Sequence, residues 1–324
     1  MNKKFHLGDF TSQSNTGEPV PRYFGDALVS ISKKQKNIVV LCADLSPATE
    51  CDIFRDTFPD RFFMCGIAEA NMIGLAAGMA RTGDIPFVHS FSVFLSRRAF
   101  DQIAMQIAYP KTNVKLAGFI PGLTTLLGVS HQAIEDIALM RALPNMAIVE
   151  PSGPEQMAAA VKAVVNYNGP VYLRLHRAAS KLPTHKSLRG LELGKAQLIK
   201  EGQHAIIFAC GHMVDQSIIA SQALLKKGID ISIANIHTLK PLDVDFILSH
   251  SKRTGHVVTA ENHSIIGGLG SAIAETLLEN NVAVNFSRVG IKDTFAEGAS
   301  TSYLFDKYGL SAKHIENAVV ANLS

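Results

Sequence analysis

Short β-branched runs alternate with amphipathic stretches along almost the whole chain, and the pattern occurs twice. NIVVLCADL (37–45), RFFMCG (61–66), PFVHSF (86–91), VKLAGF (114–119), MAIVEP (146–151) and PVYLRLH (170–176) read as strands. Helical patterns at 69–83, 97–109, 131–143 and 153–167 lie between them. Strands spaced by helices of this length predict parallel βαβ units with right-handed crossovers. The rhythm stops at AASKLPTHKSLRGLELGKA, where Lys, Pro and Gly accumulate, and then resumes. HAIIFACG (204–211), ISIANIHT (231–238), HVVTAENH (256–263) and VNFSRVGI (284–291) alternate with helical stretches at 213–228, 242–250 and 267–280. The expected class is therefore α/β, with two doubly wound domains at 1–178 and 197–324 and a linker at 179–196. A length of 324 residues suits two domains at roughly 100–200 residues each.

Composition excludes several classes of function. Lys and Arg total 31 against 28 Asp and Glu, well mixed, so no basic face marks a nucleic-acid binder. The four cysteines show no CxxC spacing, which argues against a zinc site or a disulfide framework. The start, MNKKFHLGDFTSQSN, has no apolar core of a secretory signal, and no apolar stretch approaches the roughly 20 residues of a membrane span. A cytoplasmic protein is expected. No GxxxxGKS/T loop occurs, nor a GxGxxG between strand and helix. GGLG (267–270) precedes a helix but reads best as a tight turn.

Ligands of open parallel sheets bind beyond the carboxyl ends of the strands. Asp44, Glu69, Phe91, Phe94, His131 and Arg177 all follow first-domain strands and are expected on one rim. Each also has a plainer role. Glu69 could oppose a helix dipole, the two Phe could be core, His131 could start a helix without chemistry, Asp44 could cap a turn, and Arg177 could pair with a surface carboxylate.

Their order and surroundings resemble the pyrimidine-binding and C-terminal domains of transketolase. ADLSPAT (43–49), FPDRFFMCGIAEANMIGLAAGMA (58–80), HSFSVFLSRRAFDQI (89–103), GVSHQAIEDIALMRALPNMAIVEPSGPEQ (128–156) and GGLGSAIAE (267–275) carry the likeness. The layout is also similar to 1-deoxyxylulose-5-phosphate synthase and, more distantly, to the beta subunits of 2-oxoacid dehydrogenases. All of these use thiamine diphosphate. A scaffold homologue without activity stays open as the non-enzyme reading. The family's diphosphate domain carries a GDG motif with a downstream Asn. Here Gly-Asp pairs occur only at 8–9, 25–26 and 83–84, never as GDG. The resemblance thus implies the C-terminal subunit of a split transketolase. A separate N-terminal subunit would supply the Mg²⁺ and diphosphate site, with two copies of each subunit in the assembly.

The resemblance also implies roles. Glu69 falls where a family Glu hydrogen-bonds N1′ of the cofactor's aminopyrimidine. Phe91 and Phe94 fall on its aromatic wall, and Asp44 near the thiazolium. Arg97 stands where many members have a Tyr beside the pyrimidine. His131 matches a substrate-side His, suited to proton transfer near neutral pH. Arg22 and Arg177 match arginines that grip a sugar phosphate. The implied reaction moves a two-carbon ketol unit from a ketose (phosphate) to an aldose (phosphate). Phe119 and Leu127 stand where pentose-phosphate transketolases carry a His and an Asp, and Ala48 replaces a phosphate-contacting Ser. A site that loses groups reading substrate oxygens changes specificity sharply, so a modified sugar is expected. Arg174, three residues before Arg177, is expected to be structural.

Overall fold

The computed structural model describes residues 22–176, 188 and 190–324. Arg177 and most of the expected linker lie outside the described residues. The first half runs α1 (Tyr23–Ser32), β1 (Ile38–Cys42), α2 (Asp52–Thr57), β2 (Phe62–Met64), α3 (Glu69–Arg81), β3 (Ile85–Phe91), α4 (Ser92–Arg98), β4 (Lys115–Phe119), α5 (Asp136–Ala142), β5 (Ala147–Val149), α6 (Pro154–Asn166) and β6 (Val171–Leu175). The second runs β7 (Gln197–Lys200), β8 (Ala205–Ala209), α7 (Met213–Lys226), β9 (Ile231–Asn235), β10 (Thr238–Lys240), α8 (Val244–Thr254), β11 (His256–Ser264), α9 (Leu269–Glu279), β12 (Asn285–Ile291), α10 (Thr301–Lys307) and α11 (Ala312–Leu323).

Two sheets result, one of seven strands ordered β10-β5-β6-β4-β3-β1-β2 and one of five ordered β12-β11-β8-β9-β7. Strands β1, β4, β6, β8 and β9 each have a parallel neighbour and are buried along their whole length, as strands covered on both faces must be. On one face of the first sheet Phe24, Leu28, Phe87, Met157, Val161 and Val164 pack together. On the other, α3 presents Met72, Ile73, Ala76 and Ala77, a helical stripe that joins Leu95, Ile103 and Ile107. This second core runs on into Ile206 and Phe208 of the smaller sheet and Ile236 just after β9, so one apolar mass is shared by both halves. Among the described residues no helix is long and apolar enough to cross a membrane.

The sequence reading needs correction in four places. The run 231–238 is not one strand: it breaks after Asn235, and β10 pairs antiparallel with β5 in the other sheet. The smaller sheet gains an antiparallel edge, β7, which the sequence pattern does not predict. The helix expected at 97–109 begins at Ser92, ends at Arg98, and resumes as a short turn and a π-helical turn, Ile103–Ala108. That wide turn keeps Ile103 and Ile107 both buried. The helix expected from 131 starts only at Asp136, because Val129–His131 is a separate 3₁₀ turn. Helices α1, α2, α10 and α11 are additions to the expected set.

Candidate active site

The carboxyl ends of β4, β3, β1 and β2 are neighbours in the first sheet and bring their following loops together. Phe91 ends β3, and Phe94 lies in the first turn of α4. Their rings sit 5.7 Å apart. His131 arrives from the loop after β4, with its ring 6.0 Å from Phe91 and 5.2 Å from Phe94. Glu69 opens α3, where a carboxylate suits the helix's positive end. Its side chain is only 2% exposed, and Ser90 Oγ donates to Oε1 at 3.4 Å.

The partner of Glu69 is Arg98. Nη1 of Arg98 donates to both carboxylate oxygens, at 3.2 and 3.4 Å. Its guanidinium carbon lies 3.9 Å from the centre of the Phe94 ring, an attractive placement for a cation over a π face. Arg97, the residue expected beside the pyrimidine, turns elsewhere: it pairs with Glu135 and donates to the Gln132 carbonyl at 3.3 Å. Adjacent helical residues differ by about 100° in direction, so only one of the two arginines can reach Glu69. Burial, then the Arg98 charge, push the His131 pKa down, and its Nδ1 pairs with Ser130 Oγ at 2.9 Å.

Asp44 follows β1 in a left-handed conformation (φ 58°), sparsely populated outside glycine, and its side chain is exposed. Arg22, before α1, forms an ion pair with Asp52 of α2. Glu69, Phe91, Phe94 and His131 are thus brought together. Asp44, Arg22 and Arg97 make no contact with that group among the interactions described, and Arg177 lies outside the described residues. Phe119 is fully buried, with its ring 5.8 Å from His89 and 5.9 Å from Phe24, so it belongs to the core. Leu127, in contrast, is 49% exposed on the loop that carries His131. Arg98 and Ser90 were missed by sequence reasoning. The only signal for Arg98 was the doubled arginine after the two phenylalanines.

The second half of the chain holds this loop in place. Gly122 (φ 60°) is pressed so closely on Asn262 that a Cβ would lie 2.4 Å from its side chain. The Leu123 amide donates to Asn262 Oδ1 at 3.0 Å, and Gln132 Nε2 donates to the Glu297 carbonyl at 3.0 Å. Beneath the loop, fully buried Arg174 donates to Asp136 (2.8 and 3.2 Å), Glu150 (2.7 Å) and the carbonyls of Ala133 (3.2 Å) and Asn262 (2.8 Å). Arg174 is structural, as expected. Burial alone would raise the Glu150 pKa, but Arg174 and His176 outweigh it and hold the carboxyl far below the usual range. GGLG is an internal clamp: the amides of Leu269 and Gly270 donate to buried Glu261 at 2.7 and 2.9 Å. Burial pushes the Glu261 pKa up to about 7 against those two amides. Among the described residues no group of three or more His, Cys, Asp or Glu gathers to hold a metal ion.

Two family models cover most of the chain: the transketolase pyrimidine binding domain over residues 20–183 and the transketolase C-terminal domain over 194–315. The 6-deoxy-6-sulfo-D-fructose transketolase subunit SqwH of Clostridium sp. (strain MSTE9) is 44% identical over 90% of this chain and 91% of its own length. A putative transketolase C-terminal section from Methanocaldococcus jannaschii is 39% identical over 93% of this chain and 95% of its own. A solved structure described as a split gene transketolase, inactive beta4 tetramer, superposes with a TM-score of 0.84 at 43% identity, covering 93% of this chain and 96% of that one. The chain belongs to the transketolase family, as a C-terminal subunit of the split kind.

Proposed function

We propose that this chain is the pyrimidine-side subunit of a thiamine-diphosphate-dependent transketolase. It moves a two-carbon ketol unit from a ketose (phosphate) to an aldose (phosphate), and works only with a separate N-terminal subunit. The observation that carries this reading is Glu69, a buried carboxylate beside a wall of Phe91 and Phe94 with His131 at its edge. These residues fit an aminopyrimidine, because the seat already holds a flat N–H donor, the Arg98 guanidinium, against both the carboxylate and a ring. Family members are thiamine diphosphate enzymes, and the cofactor, when bound, supplies an acidic C–H whose carbanion attacks a carbonyl.

In this reading Glu69 holds a proton at the ring nitrogen it faces, and the two Phe rings keep water from that proton. His131, whose pKa burial lowers first, takes a proton from a sugar hydroxyl or returns it. Asp44 stands on the cofactor side, Arg97 backs it by holding Glu135 and the Gln132 carbonyl on the loop that carries His131, and Arg22 and Arg177 grip the sugar. Mg²⁺ and the diphosphate group fall to the partner subunit, with two copies of each subunit in the active assembly. The beta4 description of the similar solved structure, inactive in that form, supports dependence on a partner. The substrate is a modified sugar: apolar Leu127 borders His131's loop, and the relative SqwH is named for a sulfonated deoxy sugar.

The test uses the chain reconstituted with its N-terminal partner. Glu69→Gln keeps the size but cannot share the proton. Hydrogen–deuterium exchange at the cofactor's acidic carbon should slow by about 100-fold or more, the usual weight of a positioned proton-transfer group. Exchange and turnover near the wild-type rate would return Glu69 to a plain helix-start carboxylate.

A further inference from the structure

Arg98 makes both of the contacts that the proposed function reserves for the cofactor's pyrimidine. Its guanidinium is flat, lies over the Phe94 ring at 3.9 Å, and directs N–H groups at Glu69 at 3.2 and 3.4 Å. An aminopyrimidine is likewise flat, stacks on an aromatic face, and meets the carboxylate through a ring nitrogen. Two such groups cannot share one ring face and one pair of oxygens.

We propose that Arg98 is an internal occupant of the pyrimidine seat, which the cofactor must displace to reach Glu69 and Phe94. The inference rests on the reading of Glu69 as the cofactor's partner.

Two features of the chain support it. First, Glu69 is almost completely buried, and an ionised carboxylate in that position needs a counter-charge. Arg98 is the cation that reaches it in the described structure. Second, the Arg98 side chain is 47% exposed, so it can swing into solvent without opening the core.

Displacement has a cost that the cofactor must meet: one half-exposed ion pair and one cation–π contact. Removing Arg98 removes that cost and leaves Glu69 and Phe94 in place. Affinity for thiamine diphosphate should therefore rise when Arg98 is shortened. A residue that gripped the bound cofactor would give the opposite sign. Arg98 thus acts through Glu69 and Phe94 as a positioning residue, setting how readily the seat is filled.

The experiment is isothermal titration of thiamine diphosphate with Mg²⁺ into the complex reconstituted from this chain and its N-terminal partner, for the wild type, Arg98→Ala and Arg98→Lys. Arg98→Ala should bind about tenfold more tightly than the wild type, the combined weight of the ion pair and the cation–π contact. Arg98→Lys keeps the charge but loses the flat face, and should gain about threefold. Circular dichroism of each variant without cofactor checks that the half-exposed substitution leaves the fold intact. Unchanged or weaker binding by Arg98→Ala overturns the displacement model while the cofactor reading of Glu69 stands. Absence of binding in the wild type and both variants overturns that reading and this inference together.

Discussion

Arg174 and Arg98 each meet a carboxylate buried in the first half of the chain, yet their settings are opposite. Arg174 is fully buried and all of its nitrogens are engaged, by two carboxylates and two carbonyls drawn from both halves. Arg98 reaches one carboxylate through one nitrogen at longer distances, and nearly half of its side chain faces solvent. A buried charge surrounded by short hydrogen bonds has nowhere else to go, because breaking the set strands a charge in a low-dielectric interior. A half-exposed pair has water as an alternative partner and is worth little. One arginine fixes the frame on which the rim is built. The other covers a carboxylate that the proposed function needs to be available.

The comparison breaks most readily at Arg174. Arg174→Met removes the counter-ion from Asp136 and Glu150, and should cost about 3–5 kcal/mol of stability, read from urea unfolding of the full chain. A loss below about 1 kcal/mol would mean that water or a neighbouring cation reaches those carboxylates, and the closed cluster would not differ in kind from the open one. Gly268 tests the second closed device. A Cβ there would lie 1.9 Å from Glu261 Oε2, so Gly268→Ala must push the carboxylate off its two amides. Thermal unfolding should show a loss of roughly 1–3 kcal/mol, the range for overpacking a filled site.

The smallest effect sharpens the open side. The pKa of His131 is depressed by burial and by the positive charge of Arg98. Arg98→Ala removes the second cause, so the His131 ring should titrate at higher pH than in the wild type, nearer its ordinary value, when followed by NMR in the isolated chain. The sign is fixed: a nearby cation disfavours the imidazolium, and its removal favours protonation. An unmoved titration would place Arg98 away from the rim in solution.

How much of this was legible in the sequence depended on whether a contact is local. The inner strands could be read because each is a continuous apolar run, buried on both faces. Glu69, Phe91, Phe94 and His131 could be read because each ends or follows a strand at the sheet's carboxyl edge. β10 could not be read, since ISIANIHT is one apolar run, and its break after Asn235 depends on pairing with a strand about 90 residues earlier. The choice between Arg97 and Arg98 was equally hidden. It turns on a single helical step, and on Glu135 being near enough to claim Arg97. Phe119 misled for a related reason: the resemblance sets it at a substrate-facing position, while here its ring is stacked on His89 in the core.

The crossing of β10 into the neighbouring sheet sets how this protein can be cut. Only Ile236 and His237 separate Asn235, the last residue of β9 in the smaller sheet, from Thr238, the first of β10 in the larger one. A gene divided between the halves, before Gln197, would leave β5 as a bare edge on one fragment and β10 as an unattached ribbon on the other, and open edges of that kind invite aggregation. No break elsewhere frees the halves either, because β9 and β10 are consecutive. A cut between the halves therefore leaves neither fragment with a closed sheet, and an exchange of one half has to carry the β9–β10 seam along.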